Sequence, residues 1–439
     1  MKLIFYGDDF TGATDTLGTF ARAGLRVLLL PAVPSAAQLG VLEPLESLDV
    51  LGIAGAARSL APDAMRAELE PLGQLFASLR VPLLHYKTCS TFDSAPQLGS
   101  IGHAVSVLRP FAANPLVAIV GGQPNLGRYC LFGNLFAALR TGGEVYRLDR
   151  HPTMREHPAT PMHEADLRVH LRAQGLPNVA NIAYPAYDAT AQQQLTLLAR
   201  TLADDRPDAV LFDIGERAHL AAVGRLVWQH AQAAPLLAVG SSGVAQALLA
   251  AWNGGEAPAQ TASAPIAPAD GPVFVLAGSL SPVTMRQIAA ATSYEHVPID
   301  PARLLARDAA YRDALLQRIV ALLREGRHVL AATTGAGAHR LATRGGDEAA
   351  ALARECGALL AQLLRQQALK RIGVAGGDTS SHALRALGLN ALAYVGELAP
   401  GVVMCRAHAD EPALDGLELM LKGGQVGGDD LFERLLRPA

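Results

Sequence analysis

Along this chain, short runs of consecutive apolar residues alternate with longer stretches in which apolar residues recur every three or four positions. A continuous run of four or five apolar residues predicts a strand buried on both faces, and the longer period predicts a helix. Leu3-Ile4-Phe5-Tyr6 opens the series and stops at Gly7; Leu17, Phe20 and Ala21 then place a helix over 13–23. Further strands are expected over 26–30, 49–54, 81–86, 116–120, 179–183, 209–213 and 236–240. Helices are expected over 61–79, 101–108, 164–174, 191–203 and 244–252, with Pro71 kinking or dividing the first of these. The stretch 123–162 is rich in Gly, Pro, Arg and His and reads as irregular.

Residues 254–272 are Ala/Pro-rich without apolar periodicity, as in an interdomain linker. Beyond them the alternation restarts. Strands are expected over 273–276, 328–332, 371–375, 391–395, 402–405 and 417–421, and helices over 283–291, 301–324, 348–369, from the turn 376–381 to 387, and over 430–436. This order predicts an α/β chain of two domains, residues 1–253 and 273–439, each a mostly parallel sheet flanked by helices.

Composition narrows the class. Of 439 residues half are apolar and 18% charged, with a formal net charge of −3, so a globular protein without a basic field for nucleic acid is expected. The acidic residues so near the start fit no secretory leader, and Gly240–Gly243 interrupts the longest apolar run, so no membrane span is expected and the cytoplasm is the expected compartment. The cysteines Cys89, Cys130, Cys356 and Cys405 form no metal-type spacing. Lysine occurs only at positions 2, 87, 370 and 422, which singles out Lys87 and Lys422 because both follow predicted strands.

The chemistry lies in the turns after the strands, where open α/β sheets bind ligands. In the first half, Asp8, Asp9, Arg58, Lys87, Ser90, Thr91 and Asp93 all fall there. Cations for a carboxylate and acids for hydroxyls suit a small polyhydroxy acid; for Asp93 an Asx-turn, and for one of the paired aspartates a helix cap, are competing structural roles. In the loop HPTMREHPATPMH the evenly spaced His151, His157 and His163 match no common metal-ligand pattern, and Arg155 is the candidate anion contact. In the second half, GSLS, GGDTSS and KGGQ are turns of small and hydroxyl residues that let backbone amides approach a phosphate, with Lys422 expected to add charge. Neither a P-loop nor a G-x-G-x-x-G turn is present.

Taken together, eight segments in order resemble the four-carbon acid sugar kinases, long catalogued as a domain of unknown function. They are DDFTGATD from Asp8, KTCSTFDS from Lys87, GRYCLFGNLF from Gly127, HPTMREHPATPM from His151, GSSGVAQAL from Gly240, GSLSPVT from Gly278, AGGDTS from Ala375 and LKGGQVG from Leu421. The resemblance implies a sugar-acid-binding first domain and an ATP-binding second domain, with ATP contacts at Ser279, Gly376, Gly377, Asp378, Thr379 and Gly424. One departure is that Lys-Ser-Gly-Asn-Phe-Gly, usual in the family, is replaced by Lys422-Gly423-Gly424-Gln425-Val426-Gly427.

The expected activity is ATP- and Mg²⁺-dependent phosphorylation of the terminal hydroxyl of D-threonate, D-erythronate or a 3-oxotetronate. Asp9 is the candidate base and Asp8 the holder of substrate or Mg²⁺, with the roles exchangeable. Thr11, Arg58, Lys87, Ser90, Thr91, Asp93 and Arg155 are the candidate substrate contacts, and no residue set for a protein-held metal is expected. Alternatives are a ligand-binding or regulatory protein with weakened catalysis, which the altered KGGQVG turn favours, and a kinase for a longer sugar acid. A homodimer is compatible with the sequence; nucleic acid and membrane are not expected partners.

Overall fold

A computed structural model describes residues 1–35, 39, 47–139, 142–157, 159–254, 265–278, 281–333, 346–424 and 426–438. It divides into two compact units that are not consecutive in sequence. The first comprises Met1–Asp8, Thr19–Val27 and Ala32–Thr261; the second comprises Asp9–Gly18, Leu28–Pro31 and Ala262–Ala439. Most of the expected linker, 255–264, lies outside the described residues.

The strands of the first half are β1 Leu3–Gly7, β2 Val27–Leu30, β3 Val50–Ala54, β4 Leu83–Lys87, β5 Val117–Gly121, β6 Arg128–Leu131, β7 Asn134–Ala138, β8 Val145–Arg147, β9 Val179–Ile182, β10 Ala209–Asp213 and β11 Leu236–Gly240. Seven of them form the parallel order β3-β1-β4-β11-β5-β10-β9. β1, β3, β4, β5, β10 and β11 are buried along their whole length, which explains why each reads as a solid apolar run. Phe20 of the helix Phe10–Arg22 packs on Phe5 of β1 and on Trp252, with ring centroids 6.3 and 6.2 Å apart.

The stretch expected to be irregular instead contains the antiparallel sheet β6-β7-β8. Asp213, fully buried at the end of β10, anchors it by accepting from the amides of Phe132 (2.5 Å) and Gly133 (3.0 Å). Pro71 does not divide its helix, which runs unbroken over Pro62–Leu79. The proline is exposed, so water can reach the carbonyl that loses its amide partner. A helix at His219–Ala233 was not anticipated.

The second half contributes β12 Val273–Ala277, β13 Tyr294–Pro298, β14 His328–Ala332, β15 Arg371–Ala375, β16 Ala391–Ala399, β17 Val402–His408 and β18 Glu418–Lys422. Their order is β13-β14-β12-β15-β18-β17-β16, parallel as far as β18 and antiparallel through the hairpin β16–β17. Within this unit Leu29 of β2 pairs with Leu392 of β16. Val273, Val275, Leu330, Met404, Met420, Phe432 and Leu435 belong to its core. The single helix expected over 301–324 is two, Pro301–Leu305 and Ala309–Arg324. Arg307 takes a left-handed φ of 54° between them, and Asp308 caps the second by accepting from the Tyr311 amide at 3.0 Å. No helix among the described residues is long and apolar enough to cross a membrane.

Candidate active site

In the first unit, β1 is flanked in register by β3 and β4, with Gly7 opposite both Ala54 and Lys87. The chain leaves β1 toward β2 and β3, and leaves β4 in the other direction toward β5, so the strand order reverses between β1 and β4. Ligands bind at such a reversal in open sheets. Here the backbone knits the strand ends together: Asp8 N–H donates to Lys87 O (2.9 Å), and Arg58 N–H donates to Asp8 O (3.1 Å).

Arg58, on the turn Ala57–Ser59, reaches back to Asp8 in a two-pronged ion pair, Nη2 to Oδ1 at 2.6 Å and Nε to Oδ2 at 3.2 Å. The expected carboxylate-binding cation is thus paired, in this structure, with Asp8. Lys87 is different. It is 3% exposed, and among the described residues no hydrogen bond or ion pair holds its ammonium. An ammonium with no ion-pair partner of its own suits an incoming carboxylate.

The loop after β4 adds a second acidic group. Thr91 Oγ1 donates to Asp93 Oδ1 at 2.5 Å, and Cys89 Sγ lies 3.0 Å from the same hydroxyl. Burial alone would raise the Asp93 pKa. The Arg58 guanidinium, the nearby His157, and the hydrogen bonds from Cys89 and Thr91 instead hold it well below the usual carboxylate range. Ser90 is half-exposed, and its hydroxyl has no hydrogen bond among the described residues. Arg128, whose pKa burial lowers, has Cys89 and Asp93 in its electrostatic surroundings.

Arg155 is not brought to this group: its side chain is 56% exposed and pairs with Glu156 at 3.7 Å. The residue of that loop that reaches Asp93 electrostatically is His157, whose Nδ1 accepts from the Thr160 amide at 3.1 Å. His151 Nδ1 likewise accepts from the amides of Thr153 and Met154, both at 3.2 Å. These two histidines pin their own loop, and no group of three or more His, Cys, Asp or Glu side chains is arranged for a metal among the described residues.

Asp9 begins the helix Phe10–Arg22. Its Oδ1 accepts from Gly12 N–H at 3.0 Å, which is an N-cap, and its Oδ2 accepts from the Thr11 hydroxyl. Thr11 thereby supports Asp9. Asp9 and Thr11 group with the second unit, where a Cβ placed on Gly377 would stand 3.5 Å from Asp9 Oδ2 and one on Gly423 would stand 3.7 Å from Thr11 Oγ1.

The nucleotide-type turns follow three neighbouring strands of that unit. Ala277, Ala375 and Lys422 are opposite one another in β12, β15 and β18, so the three turns emerge side by side. The strand order reverses here too, between β12 and β15. Gly376 takes a φ of 121°, open to glycine, and Gly377, Asp378 and Thr379 form the first turn of the helix Gly377–Leu387. Asp378 is exposed and Thr379 buried, and any Cβ on Gly278 would overlap Thr379 Oγ1. Such a glycine-lined helix N-terminus suits a phosphate. Ser279 lies outside the described residues.

Lys422 departs from expectation. Its side chain is fully buried and turned inward, donating to Thr284 Oγ1 (2.9 Å) and Gln287 Oε1 (2.5 Å), and burial lowers its pKa to about 7. Gly424 presents its carbonyl to the hydroxyls of Ser281 and Thr284. Thr284 and Gln287 escaped the sequence reading; the only signal was two polar residues at helical spacing on a face that had to be buried.

The relatives make the chain a phosphotransferase with an alcohol acceptor. Residues 3–248 match the family model of a sugar-binding N-terminal domain and residues 274–432 that of a nucleotide-binding C-terminal domain. The chain is 37% identical to a 3-oxo-isoapionate kinase of Paraburkholderia graminis, over 98% of this chain and 93% of that one. It is 32% identical to a 3-oxo-tetronate kinase of Methylobacterium radiotolerans, over 98% and 97%. A solved protein of Salmonella typhimurium LT2, given the provisional description of a tRNA synthase, matches with a TM-score of 0.78 and 25% identity over 99% of both chains. The chain belongs to the four-carbon acid sugar kinase family.

Proposed function

We propose that this enzyme transfers the γ-phosphoryl group of ATP–Mg²⁺ to a hydroxyl of a 3-oxo sugar acid. The observation that carries the reading is Lys87, 3% exposed and with no hydrogen bond or ion pair on its ammonium among the described residues, at the strand-order reversal beside the Asp8–Arg58 pair. The substrate carboxylate pairs with that ammonium. Ser90, Thr91 and Asp93 hold hydroxyls, and Asp9 accepts the proton as the acceptor oxygen bonds to phosphorus and ADP departs. The glycine-lined turn at Gly376–Thr379 cradles the phosphates through its amides, with Gly424 beside it. Bound Mg²⁺ neutralises phosphate charge; it needs few protein carboxylates because it retains water and phosphate ligands.

Among substrates, identity to the 3-oxo-isoapionate kinase exceeds that to the 3-oxo-tetronate kinase, which favours an acid other than a plain tetronate. The test is coupled ADP release over D-threonate, D-erythronate, 3-oxo-tetronate, 3-oxo-isoapionate and C3 to C6 aldonic acids. Turnover highest with a 3-oxo acid supports the reading, and turnover with none of the panel overturns it. Isothermal titration with ATP–Mg²⁺ separates the kinase from a regulatory relative, for which no binding is expected.

A further inference from the structure

We propose that Gln287 and Thr284 are positioning residues for the nucleotide, acting through the backbone carbonyls of Gly424, Val426 and Gly428, and that Lys422 serves this clamp rather than a phosphate. The inference rests on the second unit being the nucleotide-binding one.

Thr284 and Gln287 lie one turn apart on the helix Pro282–Ala290 and face the same way; both are fully buried. Their polar atoms converge on the segment after β18. Thr284 Oγ1 accepts from Lys422 Nζ and donates to Gly424 O at 3.2 Å, and Ser281 Oγ donates to the same carbonyl. Gln287 Oε1 accepts from Lys422 Nζ, while its Nε2 donates to Val426 O and Gly428 O, both at 3.0 Å. The carbonyls of residues 424, 426 and 428 are thus all held from one side by side chains of one helix or its cap.

The segment needs such holding. Gly423, Gly424, Gly427 and Gly428 bring no side chains to fix its path, and Gly427 sits at a φ of 87°. Glycine retains the most backbone freedom of any residue, so an unheld run of this kind samples many shapes. Burying an amide, a hydroxyl and an ammonium together is no advantage for stability alone, because apolar side chains of the same size would pack as well. What the polar set provides is a defined backbone trace, with the Gly376–Thr379 turn on the neighbouring strand. The chain lacks the serine and phenylalanine usual in its family at this turn, so the clamp carries more of the positioning here.

Gln287→Leu and Thr284→Val test the proposal, with Thr284→Ser as the conservative control. The readouts are the Kd for ATP–Mg²⁺ by calorimetry, KM for ATP and for the acid, kcat and the melting temperature. Loss of about two net hydrogen bonds predicts a rise of ~10-fold in Kd and KM for ATP. KM for the acid is expected to stay unchanged and Thr284→Ser to behave as wild type. A Gln287→Leu protein that melts cooperatively and binds ATP with the wild-type Kd overturns the proposal. Should that variant fail to fold, Gln287→Glu keeps the acceptor for Lys422 and removes both amide donations; an unchanged KM for ATP there overturns it equally. Wild-type protein that binds no ATP–Mg²⁺ refutes instead the nucleotide reading on which the proposal rests.

Discussion

Replacing Lys87 by methionine separates substrate binding from folding at one position. The side chains are similar in length, so Lys87→Met keeps the packing at the end of β4 and removes the charge. In the free protein Lys87 is 3% exposed and its ammonium has no hydrogen bond or ion pair among the described residues, so no polar folded-state contact is lost. Burial of a cation is unfavourable, and its removal is expected to leave the melting temperature unchanged or raise it. With substrate bound, the same change deletes a charge-assisted interaction with a carboxylate, worth about 1.5–3 kcal/mol. That corresponds to about a 10- to 150-fold loss in kcat/KM for the acid. Coupled ADP release against acid concentration measures it, with ATP titration as the control expected not to move. An acid KM within about twofold of wild type, in a protein that melts normally, would show that Lys87 does not meet the carboxylate.

Other expectations follow from the same geometry. Asp9→Asn retains an oxygen for the Gly12 amide and hence the helix cap, but cannot take a proton; kcat should fall by about 10² or more while ATP binding is kept, and near-normal turnover would exclude Asp9 as base. Lys422→Met removes a buried charge together with its hydrogen bonds to Thr284 and Gln287, so the informative comparison with wild type is the pH dependence of stability. The folded-state pKa of Lys422, about 7, lies below the ordinary 10.5, so wild type should gain stability relative to the variant as pH rises through that window; denaturant unfolding at pH 6, 8 and 10 reads it. Gly278→Ala drives a methyl into Thr379 Oγ1, so it should cost about 1–3 kcal/mol of stability and weaken ATP binding in calorimetry; wild-type affinity would count against a nucleotide role for that turn.

The strand-end turns were legible because each follows a solid apolar run and is spelled in glycines, hydroxyls and charges. What the sequence could not supply was strand order. That the turns after Ala277, Ala375 and Lys422 lie side by side depends on pairing between strands far apart in sequence, and Arg58 meets Asp8 from fifty residues away. Lys422 misled because a lysine after a strand reads as a surface charge, and only tertiary packing turns it inward onto Thr284 and Gln287. The sheet β6-β7-β8 was hidden for a local reason: its strands are three to five residues long, only partly buried, and carry no clean alternation. β13, at the end of its sheet order, mixes Glu295, His296 and Pro298 with two buried residues and likewise gave no apolar run.

The interleaving of the two units bears on how this chain can be cut. The nucleotide-binding family model covers residues 274–432, yet Asp9–Gly18 and Leu28–Pro31 are part of the same compact unit. Gly18 sits so close to Val403 and Tyr394 that a methyl there would collide with the valine, and β16 takes Leu29 of β2 as a partner. A gene fragment that begins after residue 261 would therefore encode a body missing two of its own pieces, with bare apolar surface at Val403 and one edge of β16 left open to aggregation. Two separately expressed halves, by contrast, carry everything between them, which makes co-expression the rational route to a split enzyme. The peptide bond between Asp8 and Asp9 is the first of the places where the chain passes from one unit to the other, so the two neighbouring carboxylates belong to different units.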